Sequence, residues 1–226
     1  MLIRNMIDFK APYTELEAKT YDRVIAPAVA SFETVILEDA LARIPRGGRL
    51  LEVGCGGGQL LAKIADRRAD VSLVGLDLAP GQVARAKERT ARFGGRVDAV
   101  EGSALELPFE DESFDGVLSV ASIKHWPDPQ RGLRECVRVL RPGAELHVVE
   151  ANRGCRPEEV RDFVRRWKQP GFLWPISYAL FRFAVADRSP DLYEAAAWIA
   201  EVGLEDVRAQ PIEGTPGLLM SGRRTG

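Results

Sequence analysis

Between Leu50 and Leu60 the chain reads LLEVGCGGGQL: a short apolar run stops, and four glycines follow within five positions. A run of that kind reads as a buried strand, and the residues after it are nearly bare backbone. Glycine permits tight turns and positive φ, and it lacks the Cβ that would hold a ligand at a distance. In an open α/β sheet, ligands settle beyond the carboxyl ends of the strands. The free N–H groups of the following helix point at the same place. A strand, a glycine loop and a helix in that order restrict the chain to few architectures.

The rest of the sequence repeats the alternation. RLLEV (49–53), VSLVGLD (71–77), RVDAVEG (96–102), SFDGVLSV (113–120) and AELHVVEA (144–151) read as strands. Helical patterns stand between them at 59–68, 81–92 and 129–140. Apolar strands separated by helices predict a parallel sheet covered on both faces. LEDVRAQPI (204–212) and TPGLLMSGR (215–223) read as two closing strands joined at Glu213-Gly214. The expected fold is therefore an α/β, doubly wound, Rossmann-like seven-stranded sheet. We expect one domain over 1–226, with N-terminal helices in 1–45 and a cofactor-binding core in 46–151. A small helical cap insertion follows in 152–188, then a closing helix and strands in 189–226. A chain of 226 residues suits one sizeable core.

Charge and cysteine content narrow the function. A formal net charge of −2 lacks the basic excess of a general polyanion binder, so nucleic acid is not an expected partner. The three cysteines, Cys55, Cys136 and Cys155, form no Cys-x-x-Cys pair, and we expect no disulfide framework and no metal site. A reducing, cytoplasmic setting follows as an expectation. No apolar stretch reaches the length of a membrane-spanning helix, and the N-terminus is too charged for a secretory signal.

Asp77 closes the second strand, VGLD. Neighbouring strands end side by side, so its carboxylate faces the glycine loop. Two acceptor oxygens suit two vicinal ribose hydroxyls; an N-cap for the next helix is the structural alternative. A nicotinamide dinucleotide would ask for G-x-G-x-x-G, but counting from Gly54 the sixth position is Gln59. The other ligand carrying a ribose and an adenine is S-adenosyl-L-methionine.

Five segments in order now point one way. EVGCGGG (52–58), VGLDLAP (74–80), GSALELPFEDESFDGVLSV (102–120), SIKHWPDP (122–129) and VLRPGAELHVVE (139–150) together resemble the class I S-adenosylmethionine-dependent methyltransferases. The likeness runs over about residues 13–151 and is nearest to the small-molecule group that includes quinone-ring and sterol C-methyltransferases. It implies S-adenosyl-L-methionine as cofactor and a small organic molecule as substrate. It implies that Glu52 organises the loop and meets the amino group of the methionine part, and that Gly54, Cys55, Gly56 and Gly58 form the loop the cofactor lies on. Asp77 would bind the ribose, Leu78 would pack on the adenine, and Ser103 and Ala104 would edge it. Ser119 would flank the transferred methyl, and Tyr21 would reach the methionine carboxylate. The family commonly has Asp-Ala where this chain has Ser103-Ala104; the serine keeps an acceptor without the charge. An oxidoreductase using NAD and a cofactor-binding scaffold without catalysis are the competing readings.

Two histidines are present. His147 falls in the fifth strand and reads as structural. His125 follows the fourth strand, at the ligand-binding end, and is the candidate general base, since histidine titrates near neutral pH. The alternative is that His125 and Trp126 only hold their loop. Lys124 is expected to orient an anionic substrate or to depress the basicity of His125 through its like charge. The Cys55 thiol reads either as reactive or as an inert small residue between glycines. GFLWPISYALFRFAV (171–185) is dense in apolar groups. It reads as a lid or core helix, as a homodimer contact, or as an amphipathic anchor on a membrane surface.

Overall fold

The structure, a computed structural model, describes residues 40–226 without a break, together with residues 24, 26–35 and 38. Tyr21, Tyr13 and much of the expected N-terminal helical segment lie outside the described residues. Of that segment, helix α1 (Ala26–Val35) and a single helical turn at Leu41–Arg43 are described. Strand β1 (Arg49–Val53) is followed by α2 (Gln59–Arg67), β2 (Ser72–Asp77), α3 (Pro80–Thr90), β3 (Val97–Glu101) and β4 (Phe114–Val120). Then come α4 (Pro129–Val139), β5 (Leu140–Ala151), α5 (Pro157–Arg165), α6 (Trp174–Leu180), α7 (Leu192–Ala200), β6 (Leu204–Ile212) and β7 (Gly217–Arg224).

The seven strands form one sheet in the order β3-β2-β1-β4-β5-β7-β6. Strands β1 to β5 pair in parallel, while β7 runs antiparallel to both β5 and β6. The order reverses between β1 and β4. A crevice opens at such a switch point, because the helices that follow the two strands leave on opposite faces.

Side chains alternate across the sheet. Leu50, Leu118 and Val149 face one apolar cluster, with Leu61, Ile64 and Ala86 of α2 and α3. Leu51, Val53, Val117 and Val148 face the other, with Leu133 and Cys136 of α4 and Ile199 of α7. Strand β5 begins earlier than the sequence pattern suggests. Leu140 pairs with Phe114, the register then shifts, and Glu145 pairs with Gly116. The intervening Arg-Pro-Gly bulges out of the ladder, and Gly143 there has φ +79°. Pro142 can only be accommodated where no ladder N–H is needed.

The segment between β5 and α7 packs through aromatics onto α1. Phe163 of α5 stacks on Phe32 with ring centroids 5.1 Å apart, and Phe181 lies 5.0 Å away on a tilted plane. The closing helix α7 carries a capping box: Asp191 accepts the Glu194 N–H, and the Glu194 carboxylate accepts the Asp191 N–H. Arg153 holds both carboxylates at 2.7 Å. That clamp ties the end of β5 to the start of α7.

Candidate active site

The glycine loop after β1 is fixed by the end of β2. The N–H groups of Gly54 and Cys55 both donate to the Leu76 carbonyl, at 2.7 and 3.0 Å. The Asp77 carboxylate accepts the Gly56 N–H at 2.8 Å through one oxygen and the Ala79 N–H at 2.9 Å through the other. Asp77 is therefore not the N-cap of α3, a place taken by Ala79. It braces the loop and its own turn together. Each oxygen keeps a lone pair, and Asp77 is only half-buried, so the ribose-binding chemistry expected of it is still open. Burial pushes its pKa up, and the two backbone N–H groups pull it back.

The glycines do three different jobs. At Gly54, with φ +77°, a Cβ would sit 2.0 Å from the Ser122 hydroxyl oxygen. At Gly58, with φ +76°, it would stand 3.0 Å from Ala86 of α3. Gly58 thus supplies the close helix approach that a sixth-position glycine gives a dinucleotide loop. At Gly56, with φ +52°, the space outward is open apart from Gln82 at 4.0 Å. Arg89 of α3 donates to the Gly57 carbonyl from behind. Sequence reasoning passed over Arg89, although it shares the helical face of the buried Val83 and Ala86.

Cys55 points into the protein. A Cβ on Gly75 would lie 2.7 Å from its sulfur, so the bare Gly75 makes room for the thiol. Burial raises the thiol's pKa well above its ordinary value. The inert reading of this cysteine fits that surrounding; its part in the loop is to pack it from below.

Glu52 is the penultimate residue of β1. It is 4% exposed, and its Oε2 atom has no hydrogen-bond partner among the described residues. Burial drives its pKa well above the carboxylate range, helped by the like charges of Glu33 and Asp77. Lys63 pairs with Glu33. A buried carboxylate oxygen without a donor costs free energy until something supplies one. Three acids converge on this point, and among the described residues Lys63 is the lysine set against them. The arrangement suits a cationic donor. Glu33 was missed in the sequence, where it is one more acid in a helical pattern.

On the other side of the crevice, β4 ends at Val120 and turns through Ser122–Trp126. Ser119 is fully buried, and its hydroxyl has no partner among the described residues. Ser122 packs on Gly54 and accepts the Trp126 indole N–H at 3.0 Å. The Trp126 ring in turn occupies the space a Cβ on Gly132 would need, at 2.4 Å. Asp128 then caps α4 by accepting the Arg131 N–H at 2.9 Å, with Pro129 at the first helical position. This sequence of contacts sets the turn in which His125 sits, three residues past the Ser122 that packs on Gly54. His125 is half-buried.

The Lys124 side chain is engaged inside the protein. Its ammonium lies 3.0 Å from the Glu150 carboxylate and 2.7 Å from the Ala121 carbonyl. Glu150 also accepts the backbone N–H of Ala151 at 2.7 Å. With its charge neutralised and buried, Lys124 holds the turn to β5 instead of reaching an anionic substrate. His147 lies within β5, opposite Leu118 of β4 and Ser221 of β7; it is buried, with Nε2 3.5 Å from Glu145.

Leu78 lies just past Asp77 and is 58% exposed, a free apolar surface at the rim. Ser103 and Ala104 follow β3, both half-buried. The Ser103 hydroxyl accepts the Leu105 N–H at 3.1 Å. Glu52, Gly54, Gly56, Gly58, Asp77 and Leu78 therefore lie at or just past the carboxyl ends of β1 and β2, and Ser119 and His125 at or just past that of β4. Among the described residues no group of side chains is arranged to hold a metal ion, and no helix is long and apolar enough to cross a membrane.

A family model described as a methyltransferase domain matches residues 51–148. The 27-O-demethylrifamycin SV methyltransferase of Amycolatopsis mediterranei is 31% identical over 192 residues, which are 80% of this chain and 66% of that protein. The demethylmenaquinone methyltransferase of Bacillus licheniformis is 28% identical over 184 residues, 77% of this chain and 78% of that one. The chain spans less of other curated relatives, down to 35% of one of them. Among solved structures, a SAM-dependent methyltransferase from Aquifex aeolicus superposes with a TM-score of 0.70 at 17% identity, covering 94% of this chain and 99% of that one.

Proposed function

Since the chain belongs to the class I S-adenosylmethionine-dependent methyltransferases, we propose that it transfers the methyl group of S-adenosyl-L-methionine to a small, apolar or aromatic organic molecule. The observation that carries this reading is Glu52: a buried acid with one oxygen unpartnered among the described residues, next to a glycine loop. S-adenosylmethionine brings an ammonium and a sulfonium to such a place, and when bound it supplies a methyl group on an already activated leaving group.

In this reading Glu52 accepts from the ammonium, and Gly54, Gly56 and Gly58 let the ligand lie against backbone. Cys55 shapes the loop from beneath. Asp77 accepts from the ribose hydroxyls with its remaining lone pairs, and Leu78 covers the adenine. Ser103 and Ala104 edge the ring, Ser119 flanks the reacting end, and Tyr21 meets the methionine carboxylate. Methyl transfer asks the protein mainly for alignment of nucleophile and methyl. A base is needed only where the nucleophile carries a proton, and His125 takes that role for a hydroxyl or carbon acid. Residues 152–188 act as the cap. The substrate class follows the relatives: one is named for a demethylated rifamycin, another for a demethylated menaquinone.

The test combines two measurements. Calorimetry with S-adenosylmethionine should give micromolar or tighter binding. Incubation with the methyl-deuterated cofactor and a metabolite extract should then yield labelled products by mass spectrometry. Absence of binding sinks the cofactor assignment; tight binding with no labelled product from any extract argues for a cofactor-binding scaffold.

A further inference from the structure

The segment after α5 turns the wrong face to water. Phe172, Ile176, Ala179 and Phe183 recur at intervals of four, three and four residues, and all four are exposed. The three large ones are exposed by 78%, 65% and 69%. The opposite side of the same stretch carries Ser177 and Phe181, both buried, and Phe181 packs on Phe163. An ordinary surface helix does the reverse, with its apolar stripe inward. Singly exposed apolar residues need no explanation, but a periodic row of them does.

The flank of this row is basic. From Arg161 to Arg182 the chain holds five basic residues and one acidic, while the remainder holds 26 basic and 32 acidic. The segment is thus cationic in a chain that is anionic elsewhere. The Arg165 guanidinium lies over the Trp174 ring at 5.8 Å, and Arg161 lies over Tyr178 at the same distance. Arg166 and Lys168 are exposed at the end of α5. An apolar row with cationic and aromatic groups beside it is the pattern of an element lying in the plane of a membrane interface. Apolar side chains then enter the acyl boundary and the cations meet anionic headgroups.

We propose that the 172–183 row, with Arg165, Arg166 and Lys168 beside it, docks the protein reversibly on an anionic phospholipid surface. A second copy of the chain is a poorer occupant, since two such faces would bring like charges together. A bilayer surface also satisfies both halves of the patch at once.

The test uses sedimentation of the full chain with phosphatidylcholine vesicles, with and without phosphatidylglycerol. Wild type should bind the anionic vesicles at least tenfold better than the neutral ones, and raised salt should weaken that binding. A Phe172→Ser/Ile176→Ser/Phe183→Ser variant and an Arg165→Gln/Arg166→Gln/Lys168→Gln variant should each lose at least tenfold. Their melting temperatures and S-adenosylmethionine affinity should stay at the wild-type values, since the changed positions are at the surface. Absence of vesicle binding, equal binding by the variants, or equal binding to both vesicle types would overturn the proposal. So would a wild-type dimer, seen by sedimentation equilibrium, that the serine variant converts to monomer.

Discussion

Lys124 and Glu150 form an ion pair of 3.0 Å in which neither side chain is more than 7% exposed. The pair joins the turn after β4 to the end of β5. Removing one charge of a buried pair strands the other, at a cost of about 3–5 kcal/mol. Lys124→Met should therefore lower the unfolding free energy by about 3 kcal/mol or more. Lys124→Met/Glu150→Leu should be less damaging than the two single changes added together, because no charge is left unpaired. Urea unfolding of the three variants checks this. A double variant as unstable as the sum would show that the pair is not the unit.

Glu52 gives a stability profile with an unusual sign. Its folded pKa stands well above the ordinary 4.5 because of burial, with Glu33 and Asp77 adding to it. An acid whose pKa is raised by folding favours the folded state below its unfolded pKa. That contribution is lost as pH rises from about 4.5 through the folded value. Glu52→Gln should therefore be more stable than wild type at neutral and alkaline pH without ligand. Its S-adenosylmethionine affinity should fall, and the wild type's rise of affinity with pH should flatten. Thermal melts and calorimetry across pH measure both. A less stable Glu52→Gln at pH 8 would contradict the assignment.

Gly54 tests the loop by geometry alone. Alanine there would keep φ +77° and bring its Cβ to 2.0 Å from the Ser122 oxygen. The left-handed conformation costs about 1–2 kcal/mol by itself, before the clash. Gly54→Ala should lose at least tenfold in cofactor affinity. Gly54→Ala/Ser122→Gly should recover part of it, leaving the backbone cost. Identical affinities for the single and double variants would show that Ser122 is not the obstruction.

Much of this fold was legible because the strands are apolar runs bounded by glycine and proline, and the helices carry clear periodicity. The glycine loop, Asp77 and the turn after β4 were visible for the same reason: backbone constraints leave marks in residue type. Lys124 was misplaced because a sequence does not say which charges meet. Glu150 is 26 positions away and looks like one more acid at a strand end. Glu33 was overlooked on the same ground. The outward stripe of 172–183 has the period of a helix, but periodicity alone does not say which side faces the core.

Asp77 holds two backbone N–H groups at 2.8 and 2.9 Å and is proposed to hold the ribose as well. Hydrogen bonds to a charged group contribute about 1.5–3 kcal/mol each, so Asp77→Ala should weaken S-adenosylmethionine binding by tenfold or more. Asp77→Asn keeps the shape but turns one acceptor into a donor facing a backbone N–H, and should fall between the two. Calorimetry would decide. Unchanged affinity in Asp77→Ala would remove the ribose from this residue.

His125 separates chemistry from packing. If it takes a proton from the nucleophile, His125→Gln should lower turnover by about a hundredfold or more, the usual range for a lost general base. S-adenosylmethionine affinity should then change little, because the glycine loop and Asp77 are untouched. If the residue only holds the turn next to Trp126, its loss should loosen Ser122 against Gly54, and cofactor affinity should fall alongside turnover. The comparison needs a substrate identified by the labelling experiment, and kcat measured at saturating cofactor. Full turnover in His125→Gln would leave the reaction without this base and assign the turn to packing. A fall confined to kcat would place His125 at the reacting atoms.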